Sequence, residues 1–269
     1  MKVFQLELRN TWKSTFIWTA VLSSIIFLLL AFFPSMQTES MKELAGAKME
    51  GLDPKLLEAF GLAELTDFTI ITNYFGYVLQ YLALAIMVYV CQSAVLFLVK
   101  EETDGTIEFL YSKPISRSAI FTQKALAHIV SYVAMLIVLW LITVIGYLSF
   151  SDYDYVESIK EVGAFYSAIL YVGLVFMAVG FLLSVCLKNS KGATGVVIAI
   201  VFGSFILGII STVVEALSFL YYVSPMDWIK TQKLMTDGIL LEEWVIGLVL
   251  IVFCLTAAKE MYKRKDLRL

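Results

Sequence analysis

Residues 100–117 read KEETDGTIEFLYSKPISR and sit between two long apolar stretches. They place four acids (Glu101, Glu102, Asp104 and Glu108), a glycine, a proline and an apolar cluster in a definite order. A passive linker needs only to be soluble, so this patterning points to recognition: a docking surface on one side of a membrane. Bond-making chemistry is not on offer. The chain has no H-E-x-x-H, no G-x-S-x-G and no cluster of histidine with acids. It also lacks G-x-x-x-x-G-K-[ST], so it does not bind and hydrolyse ATP through a P-loop. It is read as a non-enzyme, and an intramembrane enzyme lacks any nucleophile–base pair.

Other ionisable candidates, His128, Glu161 and Glu215, lie at the edges of apolar stretches. The middles of those stretches contain no Asp, Glu, Lys or Arg, whereas proton- and ion-coupled transporters place titrating groups at depth. The lone His128 reads as a packed or hydrogen-bonded residue rather than a catalyst, and Glu215 as an interfacial carboxylate facing water. Cys91, Cys186 and Cys254 lie inside apolar blocks without ligand spacing or partner histidines, and are expected to be buried, inert thiols.

These residues need a frame to position them. Of 269 residues 60% are hydrophobic and 16% charged, and the mean hydropathy is +0.84. Soluble domains sit near half apolar and a quarter charged. The apolar residues form blocks long enough to cross a bilayer, at about 20 residues each. Six spans are expected, over 15–33, 72–99, 125–150, 163–187, 193–214 and 239–258, in an all-α polytopic membrane protein with one transmembrane domain over 1–269. The first block is too long for a signal core and no A-x-A-like site follows, so it reads as an uncleaved span.

An even count puts both termini on one side. The N-terminus, the 100–124 loop, the 188–192 turn and the C-terminal tail hold 14 of the 20 Lys and Arg; the other three loops hold 6. Acids run the opposite way, 7 against 16. Positive segments stay inside, so both termini and the 100–124 loop are expected in the cytoplasm. The tail KEMYKRKDLRL then acts as a stop signal at the last span.

Residues 1–13 intersperse Val3, Phe4, Leu6, Leu8 and Trp12 with charges, which suits an amphipathic helix along the inner leaflet. In the acidic outer loop 34–71, Asp53 and Pro54 start a short helix that Gly61 ends, with Leu56, Leu57 and Phe60 on one face. Residues 215–243 are too interrupted to span, so a re-entrant or interfacial excursion is expected, with Tyr221, Tyr222, Trp228 and Trp244 as an outer aromatic belt. Small residues four apart in the fifth span, Ala199 with Gly203 and Ser204 with Gly208, allow close approach of another span or of a second subunit.

Within the patterned loop, Gly105 permits a bend and Thr106 starts a short helix with Glu108 near its favourable N-terminal end. Ile107, Leu110 and Tyr111 share its apolar face, and Pro114 breaks it. Ser116 is placed to cap the next helix, with Ile115 and Ile120 as a hydrophobic staple. A helix of one or two turns is marginal alone. The bilayer surface, the rest of the bundle or another protein must hold it.

The string E-E-x-x-G-T-I-E-F-L-x-S-x-P-I-S-R, followed by Lys124, resembles the motif of type-2 ABC transporter permeases, six-span exporter subunits made separately from their ATPase. The layout is similar along the whole chain, but only this loop is motif-specific. The resemblance implies that the loop holds a coupling helix seated in a groove of the ATPase, with Glu101, Glu102, Gly105, Thr106, Glu108, Phe109, Leu110, Pro114, Ser116 and Arg117 at matching positions. It further implies two permeases, identical or homologous, with two ATPase subunits. ATP and Mg would sit on the ATPase and no cofactor on this chain; the lipid bilayer is a partner and nucleic acid is not. The long outer loop resembles the branch that exports peptides, antibiotics or ions. The leading expectation is therefore an exporter permease in the cell membrane, with an amphipathic or antimicrobial peptide, a lipophilic antibiotic or an ion as cargo. The alternative is a non-transporting scaffold or sensor whose loop recruits a cytoplasmic protein.

Overall fold

The computed structural model describes residues 2–40, 54–60, 68–103, 115–152, 154–187 and 189–265. The regular elements among them are all helices. In chain order these are α1 (Lys2–Met36), α2 (Pro54–Ala59), α3 (Ile71–Thr103), α4 (Arg117–Phe150), α5 (Tyr155–Cys186), α6 (Ala193–Val213), the 3-10 turns Glu215–Val223 and Pro225–Ile229, α7 (Thr231–Thr236) and α8 (Leu241–Arg264). Six of them (α1, α3, α4, α5, α6 and α8) are long and apolar enough to cross a membrane.

The helices outrun the apolar windows that mark them in the sequence. The first begins at Lys2 and is continuous to Met36, so no separate amphipathic helix precedes the first span. The third begins at Arg117, inside the stretch 100–124 expected to be loop. At 1.5 Å per residue, helices of this length reach about 50 Å, well past a hydrocarbon core of about 30 Å. Hydropathy sees only the part in lipid; the backbone continues helical beyond it because side-chain caps close the ends. Ser116 accepts from the Ala119 N–H at 3.3 Å, and Ile115 and Ile120 pack with Val3 as the staple. Asp154 does the same for α5, accepting from Val156 N–H at 2.9 Å.

At the centre lie α3 and α5, each with 67% of its apolar window buried against 22% for α1 and α8, so these outer helices turn apolar faces outward. Gly180 of α5 lets the backbone of α3 come close at Cys91 and Ala94. Alongside α4 runs α1, both starting at the end that carries the two chain termini, while α6 lies at the edge against α3.

At the opposite end, the chain between α6 and α8 folds back against α5 and α6. Met226, Trp228 and Ile229 are buried, and Trp228 is 0% exposed. The expectation that Trp228 joins an outer belt is thereby corrected: its ring stacks on Tyr171, half-way along α5, and its indole N–H donates to the Tyr221 carbonyl at 3.3 Å. Tyr222 and Trp244 do stay exposed. Ser204 and Gly208 of α6 face this segment, with the Ser224 hydroxyl donating to the Ser204 carbonyl at 2.6 Å, whereas a side chain at Gly203 would meet open space. In α2, whose expected flanks Asp53 and Gly61 lie outside the described residues, Ala59 is buried, and Phe60 just past its end is exposed.

Candidate functional site

Two ladders of residues four apart face each other at the termini end. On α1 they are Val3, Glu7 and Thr11; on α4, Ile120, Lys124 and His128. Fourth neighbours share a helix face, so two helices in parallel can match rung to rung. Val3 packs on Ile120, Glu7 meets both Lys124 and His128, and the Thr11 and Ser131 hydroxyls lie 3.3 Å apart. The end of α3 closes the group from a third side with Ser93 and Glu101.

The result is a buried ionic network. Lys124 Nζ contacts Glu7 Oε2 at 2.9 Å and Glu101 Oε1 at 2.6 Å, and its side chain is 1% exposed. His128 Nε2 lies 3.0 Å from Glu7 Oε1, and Nδ1 lies 2.6 Å from Ser93 Oγ. Both ring nitrogens thus have a partner, which makes His128 the packed, hydrogen-bonded residue the sequence suggested. Phe97, Phe121 and Phe181 back it with edge-on rings. Buried charges persist only when paired and hydrogen-bonded. Here one ammonium joins three helices through two carboxylates.

Beside the network is a cavity of about 710 Å³ whose wall includes Glu7, Trp18, Tyr89, Gln92, Glu101 and His128. Gln92 donates to Thr194 of α6 at 3.2 Å, while its Oε1 is buried without a hydrogen-bond partner.

Of the residues singled out in the loop, Gly105, Thr106, Glu108, Phe109, Leu110 and Pro114 lie outside the described residues. Glu102 is in the last turn of α3. The loop's flanks are described and both are anchored: Glu101 by Lys124, Ser116 as the cap of α4, and Arg117 through its guanidinium, which donates to the Lys265 carbonyl at 2.6 Å just past α8. Sequence reasoning missed Glu7 and gave Lys124 no partner. The signal was present, as two complementary four-residue ladders separated by about a hundred residues. Among the thiols, Cys91 and Cys254 are buried as expected but Cys186, at the last residue of α5, is exposed.

The profile of the ABC-2 family transporter proteins matches residues 1–267, nearly the entire chain. The chain belongs to the ABC-2 transporter family. It is therefore a multi-pass transmembrane subunit of an ABC transporter, a membrane subunit that works with an ATPase. No curated protein matches it significantly.

In this ABC-2 protein a second group of ion pairs lies at the far end. Lys233 pairs with the fully buried Glu243 at 2.5 Å, and Glu243 also accepts from the Leu240 N–H at 2.8 Å, closing the first turn of α8. The Tyr171 hydroxyl donates to the Trp244 carbonyl at 2.7 Å. Lys230 pairs with Asp227 at 2.5 Å; burial pushes that carboxyl up from its ordinary range, against the pull of the ammonium. Burial likewise pushes the Lys233 ammonium down. On the surface nearby, Lys55 of α2 donates to Glu215 at 2.6 Å and holds its carboxyl below the usual range. Glu215 faces water as expected, with 85% of its side chain exposed. Glu161 accepts from Thr72 at 2.5 Å, tying α5 to α3.

Proposed function

We propose that this chain lines the substrate path of an ATP-driven exporter and receives work through residues 100–117. The observation that carries the reading is the anchoring of both flanks of that segment. Glu101 on one side and Ser116 and Arg117 on the other join α1, α3, α4 and the end of α8. A push on the segment between them is delivered to four helices at once, because packed helices move as units rather than deform. The ATPase, expected in two copies, holds ATP and Mg and seats the segment carrying Gly105, Thr106, Glu108, Phe109, Leu110 and Pro114. A second permease, identical or homologous, completes the path against the outward-turned apolar faces. The distribution of Lys and Arg supports a cytoplasmic location for both termini and for this segment. The cargo is an amphipathic peptide or lipophilic antibiotic.

The test is ATP turnover in the reconstituted assembly with its cognate ATPase. Deleting residues 105–111, or replacing Glu102 or Glu108 by lysine, abolishes permease-stimulated turnover while the protein still inserts. Undiminished stimulation in inserted variants contradicts the proposal.

A further inference from the structure

We propose that the outward face of α1 at the termini end is a binding site for the headgroup of an anionic phospholipid. Arg9, Trp12, Lys13 and Phe16 recur at intervals of three and four, the spacing that puts residues on one side of a helix, and all four are exposed. The opposite side of the same turns carries Val3, Glu7, Thr11 and Thr15, turned toward α4 and α3. Glu7 is the only acid in α1, and it is buried against Lys124 and His128. The outward face of this helix therefore holds two cations and no carboxylate. Neither Arg9 nor Lys13 has a hydrogen-bond or ion-pair partner among the described residues. The basic run at the end of α8 differs in carrying its own acid, with Lys263 paired to Glu260 at 2.5 Å.

Fourth neighbours on a helix stand about 5–6 Å apart at Cβ, so the Arg9 guanidinium and the Lys13 ammonium can close on one phosphate. The guanidinium offers paired N–H donors to two oxygens, and the ammonium adds a point charge. The level along the helix decides the occupant. The apolar stretch of α1 begins at Thr15, two residues past Lys13, so the two cations stand at the border of the hydrocarbon, where lipid phosphates are the anions at hand. Trp12 and Phe16 stack with ring centroids 6.3 Å apart, and they remain 65% and 61% exposed. An indole at this level sits among headgroups and the first acyl carbons, as interfacial tryptophans do. Beyond it the same face continues through the exposed Ala20, Phe27 and Ala31, an apolar track for the acyl chains of the lipid whose phosphate the cations hold.

The experiment reads Trp12 itself. The full-length permease, without any ATPase, is reconstituted in phosphatidylcholine vesicles that contain an equal fraction of either brominated phosphatidylcholine or brominated phosphatidylglycerol. Bromine quenches indole emission on contact, and the Trp12 signal is the part of the emission lost in Trp12→Phe. Brominated phosphatidylglycerol is expected to quench that signal more strongly than brominated phosphatidylcholine. Arg9→Gln and Lys13→Gln, both on exposed side chains, are each expected to lower the preference about fivefold, the usual strength of one basic residue at an anionic membrane surface. The double variant abolishes it, Lys13→Arg keeps it, and Lys263→Gln on α8 leaves it unchanged. Equal quenching by the two lipids overturns the proposal, as does a preference that survives the double variant, falls equally in Lys263→Gln, or is lost on adding inorganic phosphate. A Trp12 signal that neither lipid quenches, the result if a second protein covers this face, overturns it too. Neither ATPase nor cargo takes part, so this result is independent of the turnover assay: loss of coupling with intact lipid preference contradicts only the exporter reading, and the converse only this one.

Discussion

The two ends of the bundle solve the problem of buried charge in opposite ways. At the termini end, Glu7, Lys124, Glu101 and His128 meet beside a cavity of about 710 Å³, so charge is held at the wall of a space. At the far end, Lys233–Glu243 and Lys230–Asp227 are packed around Trp228 by a segment that folds back into the bundle, and the void beside α7 measures about 10 Å³. Among the described residues, the charges at the termini end line an open space, and those at the far end are packed beside buried side chains. The cavity lies at the end where α3 and α4 flank residues 104–114 in sequence, the segment proposed above to receive the work of ATP.

The largest test of this contrast is at Lys124. Replacing it by methionine leaves two carboxylates in the network without their shared ammonium. Removing one partner of a buried ion pair costs about 3–5 kcal/mol, and the thermal midpoint of the purified variant should fall accordingly. Adding Glu7→Gln and Glu101→Gln to Lys124→Met should recover much of the loss, because the stranded charges are gone.

A smaller effect sharpens the account of the far end. Gly208→Ala would drive a methyl group into Asp227 and Ser224, where the returning segment meets α6. Overpacking of this kind costs about 1–3 kcal/mol. Gly203→Ala, on the same helix but facing open space, should be neutral or stabilising, since alanine is the better helix former by about 1 kcal/mol. Equal losses at both positions would mean that the returning segment does not rest on Gly208. The smallest effect is expected at Glu215, whose pair with Lys55 is exposed. Glu215→Gln should leave the thermal midpoint unchanged at physiological salt, because screening removes most of a surface pair.

The sequence carried the helices better than their ends. Six apolar blocks and Ser116 as a cap were legible because hydropathy and capping are local. The extension of α1 back to Lys2 was not, since the polar first turns are stabilised by packing against α4 rather than by their own composition. Glu7 was invisible for the same reason: its value as a site residue depends on Lys124 and His128, more than a hundred positions away. The span centres are uncharged as read from the sequence, but Glu7, Glu101 and Lys124 sit outside the windows that hydropathy selects yet inside the same long helices, where packing buries them. Trp228 was misread as an interfacial aromatic because composition cannot tell a tryptophan that anchors at a surface from one that fills a core.

The most direct measurement is accessibility from the two sides of the membrane. Single cysteines are introduced as Ser14→Cys, at the cavity wall, and Ser224→Cys, buried where the far-end segment meets α6, in a chain whose exposed Cys186 has been replaced by alanine. With a membrane-impermeant maleimide, the cysteine at 14 should be labelled in everted vesicles and not in intact cells, and the cysteine at 224 should resist labelling from both sides. Labelling at 14 from outside the cell, or ready labelling at 224, would contradict the proposed exporter, in which the cavity opens on the side of the ATPase.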